Sequence, residues 1–178
     1  MNLFKRTFLI LIFLSLSINF LKAEDKVSYV DIDYVLTHTI AGKILLNTLK
    51  KEEELKINRF NLDDENFKSE KNKILSKKNL ISKEEINSEL KLLQIKFEKY
   101  RVKKINDVDE LKTKRNRNIV NFLNLINPII EKYMSDNSIY MIIDKKNVFI
   151  ARKNYDITNK LIELIDNQIK TVEIKWLV

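Results

Sequence analysis

The sequence predicts an α+β protein, mostly helical, in which a small β-containing body carries a long antiparallel helical hairpin. Three observations lead there. One Gly, one Pro and 33% charged residues in a chain of 178 favour helix and argue against an all-β fold. Residues 43–127 run without proline or glycine, rich in Lys, Glu and Asn, with a thin and interrupted apolar stripe. Flanking that stretch are β-branched and aromatic runs, Lys26–Ile32 on one side and Ile139–Ala151 on the other, which is strand chemistry.

Residues 1–23 read as a secretory signal. Lys5 and Arg6 give a positive start, Thr7–Leu21 is uncharged and mostly apolar, and Leu21-Lys22-Ala23 offers a cleavage point. The fifteen residues of the uncharged run fall short of the roughly 18–20 that span a bilayer. Leu21 stands where a small residue is usual, so an uncleaved anchor is the alternative. Removal of Lys5, Arg6 and Lys22 leaves 30 basic and 25 acidic residues, a net charge of +5. That mild excess suits acidic or mixed partners. The absence of cysteine excludes a disulfide framework or a thiolate metal site.

Lys26–Ile32 is the first expected strand, with Asp33 as N-cap of a short helical turn, Tyr34–Thr39. Gly42, the only glycine, follows at the root of the first arm. In a helix it costs about 1 kcal/mol relative to alanine, so either the chain bends there or another backbone packs close. Along the first arm Leu46, Leu49, Ile57, Phe60, Phe67 and Ile74 mark the stripe, with charged Glu53, Asp64 and Lys71 filling its gaps. Ser76–Ser82 breaks the pattern, and Ser82 with Glu85 forms a capping box that starts the second arm. There Ile86, Leu90, Leu93, Phe97 and Tyr100 step by four and three, a coiled-coil-like seam. The seam fades at Asp107 and is gone by Lys112–Asn118. At about 1.5 Å per residue each arm is roughly 50–65 Å long, far more than a compact domain requires.

Beyond Ile119 the chain is strongly apolar again (Val120, Phe122, Leu123, Ile126, Ile129, Ile130) and should re-enter the body core. Pro128 is expected to kink or restart this helix, with Asn127 as a cap. Ile139–Asp144 and Val148–Ala151, joined by Lys145-Lys146-Asn147, read as a β-hairpin, giving three short strands in all. Asp156 caps a last helix whose Ile157, Leu161, Leu164, Ile165 and Ile169 share a face. No role is assigned to Trp176. The expected division is a signal at 1–23, a body from 24–45 plus 120–172, a hairpin at 46–119 and a tail at 173–178. A body of three short strands and a few helices is marginal alone and leaves strand edges open, so self-association is expected through them. Val27, Tyr29, Val30, Ile32, Ile142, Ile143, Val148 and Phe149 are the candidate residues.

No catalytic set emerges. His38 is the only histidine, which excludes a multi-histidine metal site and disfavours a Ser-His-Asp arrangement; the expectation is no enzyme, no metal and no cofactor. Asp63-Asp64-Glu65 and Glu84-Glu85 sit among lysines and read as solvated helix surface. One basic run has a functional flavour: Arg101, Lys103, Lys104, Lys112, Lys114, Arg115 and Arg117, seven basic against three acidic residues between 101 and 118. It is either a solvated face or a site for an anionic surface, whether phosphate-bearing lipid, an acidic client segment or nucleic acid. Nucleic acid is not expected, given the secretory signal, the interleaved acids and the lack of a known DNA- or RNA-binding motif.

The order of these parts resembles the Skp/OmpH-like periplasmic chaperones of Gram-negative bacteria. The residues that carry the resemblance are Lys26–Ile32 after a signal, Ala41-Gly42-Lys43, Pro128-Ile129-Ile130, the pair Ile139–Asp144 and Val148–Ala151, and Asp156-Ile157-Thr158, with the long charged insertion between. The resemblance implies a periplasmic homotrimer whose strands complete one small β-rich body, with three hairpins extending as tentacles around a cavity. It implies, further, that unfolded outer-membrane β-barrel proteins are held in that cavity without ATP. Some members contact lipopolysaccharide through a basic patch on the returning arm, which Phe97-Glu98 with Arg101, Lys103 and Lys104 resembles; lipopolysaccharide or another anionic lipid is therefore a further expected partner. Two other readings are a membrane-tethered coiled-coil scaffold and a basic DNA-compacting protein.

Overall fold

A computed structural model describes residues 26–169; the expected signal and the tail with Trp176 lie outside the described residues. The elements in order are β1 (Lys26–Val30), α1 (Ile32–His38), α2 (Ile40–Ser76), α3 (Lys83–Asp136), β2 (Ile139–Asp144) and α4 (Thr158–Gln168), with single 3₁₀ turns at Lys77–Asn79, Lys145–Asn147 and Lys153–Tyr155. The architecture is mostly helical α+β, as the composition predicts.

Strand β1 is shorter than the apolar run that announces it. The backbone N–H of Asp31 donates to Thr158 Oγ1 at 2.9 Å, so the ladder stops at Val30 and Ile32 opens α1. Asp31, not Asp33, is the N-cap: its Oδ1 accepts the Tyr34 N–H at 2.9 Å. Thr39 ends α1 and starts α2. Its Oγ1 donates to the Val35 carbonyl at 2.9 Å and accepts the Gly42 N–H at 3.2 Å. Both readings of Gly42 hold, because the chain bends at Thr39 and a Cβ on Gly42 would overlap the Leu36 carbonyl oxygen.

The arms are α2 and the first part of α3. The capping box at Ser82 is present in full, with Ser82 Oγ accepting from the Glu85 N–H and Glu85 accepting from the Ser82 N–H. Helix α3 then runs 54 residues without interruption through Pro128. Asn127 caps nothing and the helix does not restart. Phe122, Ile126 and Ile129 are buried on one face across the proline, and that packing outweighs the one hydrogen bond lost at exposed Pro128.

The sheet has two strands, β1 and β2, paired in parallel with Val27 opposite Met141 and Val30 opposite Asp144. On the far edge of β1, Tyr29 bridges to Asp156, and the Ile157 N–H donates to the Tyr29 carbonyl at 3.0 Å. The expected hairpin with Val148–Ala151 does not form. Asp144 Oδ1 accepts the Lys146 N–H at 3.2 Å, capping a 3₁₀ turn, while Lys145 Nζ reaches Asp31 at 3.5 Å. These contacts steer the chain off the sheet, and residues 148–151 have no strand partner among the described residues. Helix α4 starts at Thr158, with Ile157 in the cap position. Asp156 still does the capping chemistry, its Oδ1 accepting the Thr158 N–H at 3.0 Å.

Two apolar clusters hold the molecule. At the root, β1, α1, the start of α2, the end of α3, β2 and α4 bury thirteen residues, among them Val35, Leu45, Phe122, Ile126, Leu161 and Ile165. Asp166 Oδ1 accepts the Ile40 N–H at 2.8 Å, fastening α4 to the start of α2. Near the far end, Ile74, Ile86 and Leu93 form a second cluster with Phe67, Ile81 and Leu90. At about 1.5–3 kcal/mol per buried aliphatic side chain, the root is the stable anchor. Between the clusters the arms bury Phe60 and otherwise depend on polar contacts.

Candidate functional site

Between the arms lies a groove of about 1250 Å³. Its apolar floor is Phe67 from α2 with Leu90, Leu93, Phe97, Ile105 and Val108 from α3. Those on α3 step by three, four, eight and three residues, all close to whole helical turns, which places them on one helix face. Around them stand five cations, Lys68, Lys71, Arg101, Lys104 and Lys112, against two acids, Asp64 and Asp109. The groove is therefore apolar inside and basic at the rim.

One side of it is set by a compact polar knot. Tyr100 donates its hydroxyl to the Phe60 carbonyl at 3.0 Å, and Lys104 Nζ sits 2.7 Å from Asp64 Oδ2. The same ammonium lies 5.3 Å from the Phe60 ring centroid and 5.7 Å from that of Tyr100. Phe67 meets Phe97 edge-on at 5.3 Å and Tyr100 at 5.1 Å. The hydrogen bond from Lys104 above all holds the Asp64 carboxyl below its ordinary range. Burial, then Asp64, pushes the Tyr100 phenol up, and the bond to Asp64 raises Lys104. All three thus keep their neutral-pH charge states, with Tyr100 a committed donor.

Of the seven basic residues singled out from the sequence, Arg101, Lys104 and Lys112 line this groove. Lys103 bonds Asp107 at 2.8 Å and Lys114 bonds Glu52 at 2.9 Å. Arg101 also pairs with Glu98 at 3.4 Å and Lys112 with Asp109 at 3.6 Å. Arg115 and Arg117 are exposed and form no ion pair among the described residues. The run is thus divided between the groove, the inter-arm contacts and open surface. Sequence reasoning missed Lys68 and Lys71 as rim cations and Asp64 as the partner of Lys104. The signal was there: a hairpin folded about Ser82 brings residues equally far from the turn into contact.

At the body, Val30 is 2% exposed and belongs to the root core, with Ile32 and Ile142 packed against it. Val27 is 43% exposed, Tyr29, Ile143 and Val148 are half-buried, and Phe149 is fully exposed. The sole histidine, His38, stacks on Tyr34 with ring centroids 3.5 Å apart. Among the described residues no cluster of His, Asp or Glu is arranged to hold a metal ion, and no helix is long and apolar enough to cross a membrane.

Comparison with known proteins bears on this arrangement directly. The family model for outer membrane proteins (OmpH-like) matches residues 26–165. The chain belongs to the OmpH-like family. The match begins at the first residue of β1 and ends within α4, so it takes in body and arms together. A crystal structure of a candidate outer membrane chaperone (OmpH-like) from Caulobacter crescentus CB15 has the same fold, with a TM-score of 0.74 over 82% of this chain and 86% of that one at 18% sequence identity. No curated protein matches.

Proposed function

We propose that this OmpH-like chain is an ATP-independent holdase of the periplasm that shelters unfolded outer-membrane β-barrel proteins, without enzymatic activity of its own. The observation that carries the proposal is the open groove between the arms, with its apolar floor and its rim of five cations to two acids. An unfolded barrel strand alternates apolar and polar side chains. It can lay its apolar face on Phe67, Phe97 and Ile105 while acidic groups meet Lys68, Lys71 and Arg101. Such contacts are individually weak and exposed, which lets a client be held without being trapped.

The body supports the same reading. Among the described residues nothing pairs with the outer edge of β2, where Tyr140 is 71% and Met141 46% exposed, and Phe149 is fully exposed. One chain leaves this apolar surface open, and three copies closing on it would set three hairpins around a shared space. The test is light scattering of a urea-unfolded outer-membrane barrel protein diluted into buffer. Suppression saturating near three chains per client and weakening with salt is the expected result. Absence of suppression by the folded protein would remove the holdase and leave a coiled-coil scaffold of the cell envelope as the reading to pursue.

A further inference from the structure

The outer face of the first arm carries an apolar stripe that stands open among the described residues. Ile40, Ile44, Leu55 and Leu62 step along α2 by four, eleven and seven residues, each close to a whole number of turns. Leu45, Leu49 and Phe60, the buried residues on the side that meets α3, repeat the first two steps five residues on, about 140° around the helix. The stripe therefore points away from α3. Leu55 is 71% and Leu62 61% exposed, and Ile40 and Ile44 are nearly half exposed. Apolar residues scattered singly over a surface are ordinary, but four in one line on one helix face mark a contact surface. The chain also supplies a segment that starts at the head of this stripe. Asp166, near the end of α4, accepts the Ile40 N–H at 2.8 Å, and Ile169 packs on the root core, so residues 170–178 set out beside Ile40. Their sequence alternates, with Val172, Ile174, Trp176 and Val178 as one apolar row. The family match ends at residue 165, so membership of the family does not account for this segment.

We propose that residues 170–178 lie extended along the outer face of α2 of their own chain, as a strap that ties the first arm to the body. The reach agrees position by position. Trp176 lies seven residues past Ile169, about 23 Å of extended chain. Leu55 lies fifteen residues past Ile40, about 22 Å along the helix. Val178 and Leu62 match in the same way, at about 30 Å and 33 Å. In that register Glu173 comes level with Lys51, and Lys175 with Glu54, opposite charges in both cases. A partner from outside would leave unexplained why an alternating segment of this reach begins where the stripe begins. None of the four stripe residues lines the groove, so the strap stands apart from client holding.

Trp176 is the only tryptophan, so the unmodified protein reports on itself. The strap predicts blue-shifted emission and protection from acrylamide quenching in the native protein, both largely lost in Leu55→Asp, which replaces an exposed side chain and opens no cavity. Leu92→Asp, at an exposed leucine on α3, should change neither. The chain has no cysteine, so paired substitutions test the register. Leu55→Cys with Trp176→Cys should link within one chain on oxidation, seen as faster migration without reductant, whereas Leu55→Cys with Val172→Cys should not. Circular dichroism checks that each variant keeps its helices. A Trp176 as accessible to acrylamide in the native protein as in urea would overturn the proposal. So would a link between Phe97→Cys and Trp176→Cys, which places the segment in the groove, or a link from Leu55→Cys to Trp176→Cys between two chains, which places it on another copy.

Discussion

Gly42 shows how a single position can fix the junction between body and arm. The residue is helical, so it gains nothing from glycine's extra freedom; it is needed because the end of α1 crosses too near for any Cβ, with the Leu36 carbonyl in the way. Backbone cannot give as a flexible side chain can, so Gly42→Ala should cost about 1–3 kcal/mol, read as a lower urea midpoint. Nearby, Asn118 poses the opposite case. It is 2% exposed on α3, close to the root core, and its Nδ2 has no hydrogen-bond partner among the described residues. An orphaned buried donor costs about 1–3 kcal/mol, and leucine has the same branched skeleton without the polar atoms. Asn118→Leu should therefore raise the urea midpoint, and a lowered midpoint would mean that the amide has a role in holding the arm root.

Five ion pairs cross between the arms: Glu52–Lys114 at 2.9 Å, Lys56–Asp107 at 3.5 Å, Asp64–Lys104 at 2.7 Å, Glu70–Lys96 at 3.3 Å and Lys77–Glu89 at 3.0 Å. Half-exposed pairs of this kind are worth about 0.2–1 kcal/mol each, so together they rival one or two buried leucines and are screened by salt. The middle of the hairpin is thus its soft part, between the root and the far cluster. Acid should open it. Lys104 holds Asp64 below the ordinary carboxylate range across the gap between the arms, whereas Asp107 is held down first by Lys103 on its own helix and only then by Lys56 on the other arm, so Asp64 carries the link to opening. Between the two values the separated state binds more protons, so the contribution is complete above about pH 3.9 and is lost as pH falls through the lowered values. The chain has no native cysteine, so spin labels at Asn66→Cys and Lys99→Cys can report the gap. The expected result is a constant distance from pH 7 down to about 4 and broadening below, with a weaker response in Asp64→Asn. At this scale the sequence was readable where signals are local. The Ser82 capping box and the stepped apolar residues located both arms, and the basic run included Arg101, Lys104 and Lys112 of the groove. What depends on distant partners was not readable. No local pattern says that Lys26–Val30 pairs in parallel with Ile139–Asp144, or that Asp64 meets Lys104, because each needs the register of a chain returning after a long excursion. Pro128 misled for the same reason, since the packing of Ile126 and Ile129 against other elements decides its fate.

In the whole molecule the unresolved question of the sequence was where Val148–Ala151 would go. Val148-Phe149-Ile150 has strand composition, yet it finds no strand partner among the described residues, and Phe149 and Ile150 stand almost wholly in solvent. Two adjacent large apolar residues left this exposed beside the free edge of β2 are the surface on which copies of the chain should meet. The choice of variant matters. A charge at Val30 or Ile142 would also disturb the protomer, because Val30 is buried in the root core and Ile142 packs against it. Phe149 is fully exposed in the protomer, so Phe149→Asp removes an association contact without opening a cavity. Sedimentation equilibrium should give the mass of three chains for the unmodified protein and of one chain for Phe149→Asp, with helical circular dichroism retained. Three-chain mass in that variant would clear residues 148–150 of any part in assembly and shift attention to the edge of β2. In that case Tyr140→Lys, which puts a charge at an exposed position of that edge strand, becomes the variant expected to separate the copies.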